Sequence, residues 1–366
     1  MTSTPAPADP SHVPVPVPPE VVPVRPGEEL AWHRLEPYLR SELGVEGDFS
    51  VLQFPNGSAN LTYLLTFGEQ RFVLRRPPFG TIAPGAHDMK REYRVLSRLW
   101  RVYDRAPRSF LLCEDHDVVG SDFVISEYRT GVVIWGVLPP GMATVPDASR
   151  LVGFAAVDAL ADLHLVDPAG AGLSDLGKPE GYLARQVDGW RKRWDLVATP
   201  NFDPLMSPLG EELRRRLPTT PRSTLIHNDF KIDNCQFADG RPDRVTAVFD
   251  WDQATLGDPL ADFGMLMSYW PDPSDTPTDR ALTPPGLDRF GLPSRAETAA
   301  RYADRTGFDL TALPWYEAFT TWKTCVVLQQ LHQRYVRGES TDPRMADKGD
   351  NIEMLARRAA RILGSD

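Results

Sequence analysis

The sequence has only three cysteines in 366 residues, Cys113, Cys235 and Cys325, odd in number and far apart. Neither a disulfide framework nor a zinc-ligand spacing can be built from them, and a reducing cytoplasm is the simplest home. Long hydrophobic runs are missing as well. Every apolar stretch is broken by a charge well short of the roughly 18 residues a membrane-spanning helix needs, so no membrane partner is expected. The N-terminus has no basic region followed by an apolar core, and no secretory signal is expected. Positive charge is in deficit, with 40 Lys and Arg against 50 Asp and Glu and a formal net charge of −10. That balance argues against a nucleic-acid partner or an anionic membrane surface. It does not choose the ligand, because an acidic protein can hold an anion in a local basic pocket.

What is present separates into a tail and two unlike halves. Residues 1–27, "MTSTPAPADPSHVPVPVPPEVVPVRPG", are dominated by Pro, Val and Ala. Repeated proline removes backbone donors and favours extended conformation, so this segment reads as a proline-rich arm or linker rather than core. From residue 28 the composition is globular, with 42% hydrophobic and 25% charged residues over the whole chain. Leu30, Leu35, Leu39 and Leu43 in "ELAWHRLEPYLRSEL" carry helical spacing. Short strands follow at "FSVLQF", "LTYLLTF" and "RFVLRR", split by "PNGSAN" and "GEQ". A helix over about 87–101 precedes strands at "FLLCED" and "DFVISEY". After Gly131 the pattern is mainly helical, interrupted by one strand at "RVTAVFD". "SRAE" at 294–297 is a capping box for a helix that Gly307 ends. Trp315, Phe319, Trp322 and Val326 make an apolar stripe that reads as core.

The densest chemistry lies in "LIHNDFKIDN", residues 225–234. His227, Asp229 and Asn234 fit H-x-D-x-x-x-x-N, the catalytic-loop pattern of kinases. Asp250 follows Asn234 by 16 residues, at the end of the apolar run "VTAVFD". Phosphoryl transfer asks for positioning and charge neutralisation rather than covalent help. Asp229 is then the carboxylate that accepts a hydrogen bond from an attacking hydroxyl and takes its proton late. Asn234 and Asp250 supply the hard oxygens that Mg2+ prefers. His227 fits a loop brace better than a base. Lys231 either reaches the transferring phosphate, as the equivalent lysine does in serine/threonine protein kinases, or is a solvated side chain.

Taken together, "HNDFKIDN" and "FDWDQATLGDPLADFG" make the chain resemble the aminoglycoside phosphotransferase and choline kinase superfamily. The resemblance is closest to the branch that includes the N-terminal kinase-like domains of acyl-CoA dehydrogenase family members ten and eleven. "RFVLRRPP", "LADLHLVD" and "YLARQVDGW" are similar to that branch too, and the likeness covers roughly residues 28–365. It implies an α+β, protein-kinase-like bilobal fold. A small N-lobe of antiparallel sheet plus helix, 28–129, would bind the nucleotide, and a larger, mainly helical C-lobe, 130–366, would carry the catalytic loop and the acceptor. The literal "DFG" at 262–264 is a decoy, because it lies 33 residues past Asp229, whereas Asp250 lies 21 past and follows a strand directly. Asp258 and Asp262 are expected to cap or brace a helix start. Asp252 is either a further metal, water or substrate contact or a structural carboxylate.

On that footing the N-terminal half holds ATP. "NGSANLTY" at 56–63 sits where a kinase has its glycine-rich loop. Gly57, Ser58 and Asn60 are small or polar enough to let backbone N–H groups face phosphates, although an ordinary hairpin turn has the same composition. Alternation in "FVLRR" puts Arg75 at the position of the kinase strand-three lysine. Arginine keeps the charge and offers a bidentate fork, and the resemblance implies that it is functional here. Glu92, 17 residues on, is its expected partner, with a solvated surface pair as the alternative. "DFVISEYRTG" leads to a hinge where backbone groups of Glu127, Tyr128 and Arg129 would hydrogen-bond adenine. No Ala-Pro-Glu follows Asp250, so a small hydroxylated acceptor fits better than a peptide. Aminoglycosides, amino alcohols and sugars are open candidates, and the resemblance adds a hydroxyacyl-CoA. Arg185 is carried over by the resemblance as a substrate contact. Arg191, Lys192 and Arg193 on the same helix read as solvated around inward-packed Trp190 and Trp194. The expectation is an ATP- and Mg2+-dependent small-molecule phosphotransferase, with a catalytically silent nucleotide-binding protein as the alternative.

Overall fold

In a computed structural model, which describes residues 21–55, 60–80, 87–283, 286–340 and 342–364, the apolar runs of the N-terminal half pair into one sheet. Strands β1 (Phe49–Gln53), β2 (Leu61–Phe67), β3 (Gln70–Arg76), β4 (Ser109–Cys113) and β5 (Phe123–Glu127) are antiparallel in the order β1-β2-β3-β5-β4. Alternation decides which face each side chain takes. Tyr63, Leu74 and Ile125 pair across β2, β3 and β5 and are fully buried in one core with Leu35 and Leu39 of helix α1 (Trp32–Leu43). Their neighbours Thr62, Arg75 and Val124, also in register, therefore take the opposite face. Helix α2 (Met89–Leu99) carries Glu92 in its first turn, and α3 (His116–Val119) is capped by Asp115. The described end of the proline-rich arm joins this sheet, since Val22 and Gln53 exchange backbone hydrogen bonds of 2.9 and 2.8 Å.

The chain divides into two units, Met1–Tyr93 with Arg108–Tyr128 and Arg94–Pro107 with Arg129–Asp366. Residues 94–107 thus go with the second unit although the sequence reading places them in the first half. Val95, Leu96, Leu99, Tyr103 and Ala106 are buried in the second core, which explains the exchange.

The second unit begins with β6 (Val132–Val133), α4 (Pro140–Ala143), α5 (Ala148–Leu165), α6 (Tyr182–Asp195), α7 (Asp203–Arg215) and β7 (Thr224–Ile226). It continues through β8 (Cys235–Ala238), β9 (Arg241–Val248), β10 (Thr255–Gly257), α8 (Pro259–Ser268) and α9 (Pro277–Ala281). Helices α10 (Arg295–Thr306), α11 (Leu313–Val336) and α12 (Ile352–Leu363) complete it. Four strands, β6, β7, β8 and β10, have no counterpart in the sequence reading. They are two to four residues long, too short for alternation to show. They form the sheets β6-β8-β9 and β10-β7. Strand β9 starts before "RVTAVFD", and its position at a sheet edge tolerates Pro242.

Ser294 and Glu297 close the capping box on α10, and Gly307 ends it at φ 69°. Trp315, Phe319, Trp322 and Val326 of α11 are all buried, as a core stripe requires. Helices α8 and α11 approach closely at Gly264, where a Cβ would lie 2.7 Å from Cβ of Tyr316. The three cysteines are free and buried. Among the described residues no helix is long and apolar enough to cross a membrane.

Candidate active site

Strand β7 delivers the chain into a loop that needs unusual backbone. Asn228 sits at φ 69°, and Asp250, just beyond β9, at φ 71°. Asn and Asp tolerate this left-handed region better than other non-glycine residues. The loop is held from below by Asp262 in the first turn of α8. Its carboxylate, 1% exposed, accepts from the backbone N–H of His227 at 2.5 Å and of Asn228 at 2.7 Å. His164 of α5 touches the same carboxylate through Nε2 at 3.3 Å and meets the Tyr302 hydroxyl through Nδ1 at 2.6 Å. Asp258 has the other expected task. It caps α8 by accepting from the Leu260 N–H at 2.9 Å, and it also accepts from the Tyr316 hydroxyl at 2.8 Å. The expectation treated both carboxylates as helix-start residues. Asp262 in fact braces the loop that carries Asp229.

Inside the loop the backbone engages both nitrogens of His227, which is fully buried. Nδ1 accepts from the Asp229 N–H at 3.3 Å and Nε2 donates to the Phe249 carbonyl at 2.8 Å. Its ring packs on Trp251 with centroids 4.7 Å apart. Asn234 ends a short 3-10 turn and donates through Nδ2 to the Asp229 carbonyl at 2.8 Å and to Asp229 Oδ2 at 3.4 Å. Its own carbonyl accepts from the Phe249 N–H at 2.9 Å. Two separate bonds thus tie the residue before Asp250 to the loop that holds Asp229 and Asn234. Lys231 Nζ lies 3.5 Å from Asp229 and 3.8 Å from Asp233. Burial works against the charge of Lys231, but Asp229 and Asp233 outweigh it and raise its pKa. Burial raises the pKa of Asp233, with Lys231 opposing.

Sequence reasoning passed over Asn228. Its Oδ1 accepts from the Tyr182 hydroxyl of α6 at 2.7 Å, and its Nδ2 donates to the Gln253 carbonyl at 2.8 Å. The only signal was an Asn placed where the chain must turn left-handed. Asp252 is buried at 7% exposure. Arg185 is exposed, and its guanidinium donates to the carbonyls of Lys178 and Glu180.

In the first unit Arg75 pairs with Glu92 at 2.8 Å, with side chains 15% and 1% exposed. Asn60 is buried at 3% exposure, and its amide oxygen and nitrogen have no partner among the described residues. Gly57 and Ser58 lie outside the described residues. The Glu127 N–H donates to the Arg108 carbonyl at 2.8 Å, and its carboxylate accepts from the Arg108 N–H at 3.0 Å. The ring of Tyr128 lies under the Arg71 guanidinium, 5.5 Å away. In the second unit Arg129 donates to the Ala106 carbonyl at 3.4 Å, and its own carbonyl accepts from Gln236 at 3.1 Å. Of the backbone groups expected at adenine, the Glu127 N–H and the Arg129 carbonyl therefore already have protein partners.

A cavity of about 250 Å³ opens beside the loop, with Lys231 and Asp233 on one side and Trp135, Leu266, Tyr269 and Trp270 among its apolar walls. Burial raises the pKa of Tyr269, and Asp229 adds to the effect.

Residues 50–316 match the Phosphotransferase enzyme family. Acyl-CoA dehydrogenase family member 10 of Mus musculus is 31% identical over 344 residues, covering 93% of this chain and 32% of the mouse protein. The chain thus spans about a third of that relative's length. A solved structure from Ralstonia eutropha, described as a candidate aminoglycoside phosphotransferase, is 30% identical with a TM-score of 0.76, over 92% of this chain and 99% of that one. A thermostable mutant of aminoglycoside phosphotransferase APH(4)-Ia, solved with AMP-PNP and hygromycin B, shares the fold at a TM-score of 0.56 and 18% identity, over 90% of this chain and 98% of that one.

Proposed function

Because the chain belongs to the Phosphotransferase enzyme family, we propose that it moves the γ-phosphate of ATP, with Mg2+, to a hydroxyl of a small molecule, with Asp229 as the base. The observation that carries this reading is the convergence on Asp229. Asn234 donates to its carbonyl and carboxylate, Lys231 stands 3.5 Å away, and Asn234 and His227 both bond the backbone of Phe249 next to Asp250.

The donor set fits magnesium. The amide nitrogen of Asn234 is turned onto Asp229, which leaves its oxygen for a cation, and Asp250 adds a carboxylate. Among the described residues no group of three or more His, Cys, Asp or Glu is arranged to hold a metal, so phosphate and water would complete the shell. Bound there, the cation neutralises and aligns the phosphates. Asp229 orients the acceptor hydroxyl and takes its proton as the oxygen–phosphorus bond forms and the bond to ADP breaks. Lys231 offsets charge on the transferring group. His227, with both nitrogens on backbone, holds the loop and does not act as the base. Arg75, kept in place by Glu92, serves the nucleotide phosphates, and Asn60 offers them an amide that has no partner among the described residues.

The apolar walls of the cavity favour an acceptor whose hydroxyl sits on a partly apolar chain, as in a hydroxyacyl-CoA, over a polycationic aminoglycoside. The test is ATP consumption with Mg2+ across hydroxyacyl-CoAs, aminoglycosides, amino alcohols and sugars. Asp229→Asn should cut acceptor-stimulated turnover by roughly 10² or more and leave nucleotide binding intact. Asp250→Ala should weaken Mg2+-dependent nucleotide binding instead. Full turnover in both variants rejects the assignment. Nucleotide binding with no transfer to any acceptor points to a silent kinase-like binder.

A further inference from the structure

Helices α6 and α11 pack together, and Trp190 of α6 is partly buried against the second core. Two cations lie on its indole. The Arg193 guanidinium is 4.3 Å from the ring centroid, and the Lys323 ammonium of α11 is 5.4 Å away. Two neighbouring cations do have carboxylates: Arg191 pairs with Glu211 at 3.4 Å and Arg214 with Asp188 at 2.9 Å. Among the described residues neither Arg193 nor Lys323 has a carboxylate within ion-pairing distance. Two like charges on one ring repel each other, and the ring quadrupole offsets only part of that. Lys323 is also half-buried. Burial lowers its pKa and Arg193 adds to the lowering, while Asp229 and Asp262 act against it. Lys323 therefore sits in the field of Asp229 without being bonded to it. The sequence reading took Arg193 for a solvated cation; it is exposed, and its guanidinium also lies on the ring that it shares with Lys323.

We propose that Lys323 and Arg193, seated on Trp190, form an anion subsite that holds a carboxylate or phosphate carried by the acceptor apart from its reacting hydroxyl. The assignment to the acceptor rests on Asp229 being the base. The pair lies on helices of the second unit, whereas Arg75 and Glu92 belong to the first. It selects acceptors bearing negative charge and turns away polyamines.

Lysine labelling tests the subsite without turnover. The full chain is reductively methylated and Lys323 is followed by peptide mass spectrometry. The probes are inorganic phosphate, 3-hydroxybutyrate and neutral 3-hydroxybutyramide. The anion that fits, phosphate or carboxylate, should slow Lys323 labelling about threefold or more at a few times its Kd. The amide should do nothing, Lys192 should be unaffected, and Arg193→Gln should weaken the protection. Equal labelling with all three probes, equal protection by the amide, or protection undiminished in Arg193→Gln overturns the proposal. A chain that protects Lys323 yet transfers phosphate to no acceptor keeps the subsite and loses the kinase reading. With an active acceptor pair, Lys323→Met should raise KM for the anionic member about tenfold, leave kcat within about twofold, and leave the neutral member unchanged.

Discussion

Asp262→Asn tests how the candidate active-site loop is held. Asparagine keeps the shape of the side chain, but one of its two terminal atoms is a donor. At this site two backbone donors converge, the N–H groups of His227 and Asn228 at 2.5 and 2.7 Å, on a carboxylate 1% exposed. Whichever way the amide turns, one of those N–H groups faces a donor and is left unsatisfied, costing about 1–3 kcal/mol. The surviving bond loses its charge assistance, roughly 1 kcal/mol more. The sum, ~2–4 kcal/mol, falls on the loop and corresponds to about 30- to 700-fold easier local opening. Hydrogen exchange by mass spectrometry on peptides covering 224–230 reads this directly. Turnover should fall by about 10² as well, since misplacing a catalytic group by an ångström costs that much. Asp258→Asn, at the start of the same helix, is the control. Asparagine caps a helix as well as aspartate does, and the Tyr316 hydroxyl, unlike a backbone N–H, can turn to accept from its amide, so exchange at His227 should not change. If exchange in Asp262→Asn stays within a factor of about three of the unmodified chain, the brace argument is wrong.

Other substitutions probe the surroundings. Gly264→Ala would place a Cβ 2.7 Å from Cβ of Tyr316 and 3.0 Å from its carbonyl carbon, and the resulting overpacking should cost about 1–3 kcal/mol in urea unfolding. Arg75→Met removes one partner of Glu92, which is 1% exposed, and should destabilise the chain in urea unfolding. Adding Glu92→Gln should recover much of that loss, and simple additivity in the double-mutant cycle would sink the buried-pair reading. Glu297 is held down to about 2, first by Arg150 and then by Ser294. A depressed carboxyl contributes stability that is complete above its ordinary value near 4.5 and is lost as pH falls through about 2. The thermal midpoint difference between the unmodified chain and Glu297→Gln should therefore be constant above pH ~5 and shrink below it. A difference that stays constant down to pH ~2 counts against the pair.

Much of this architecture was legible in one dimension. Period-2 alternation placed three of the first unit's strands and put Arg75 on the face away from Tyr63 and Leu74. Helical spacing located α1 and the aromatic stripe of α11, and the Ser294–Glu297 box marked the start of α10. Local spacing sufficed because each of these signals lies within a few residues of itself. His227, Asp229 and Asn234 were legible as a motif for the same reason, lying within eight positions of one another. Asp250 follows β9 directly, whereas the literal "DFG" falls inside helix α8.

Other features had no local signature. β7 and β10, three residues each, exist only because each pairs with the other across some thirty residues of chain. Residues 94–107 joined the second unit because their apolar side chains found its core. Asp262 became the brace of a loop 35 residues upstream, a role that a helix-start pattern cannot disclose. Lys323 came to share an indole with Arg193 although 130 positions separate them. Residue order determined the elements and the chemistry they carry, since propensity, alternation and motif spacing act over a few residues. Tertiary packing decided which charges and donors meet, because hydrogen bonds and ion pairs depend on distance in space.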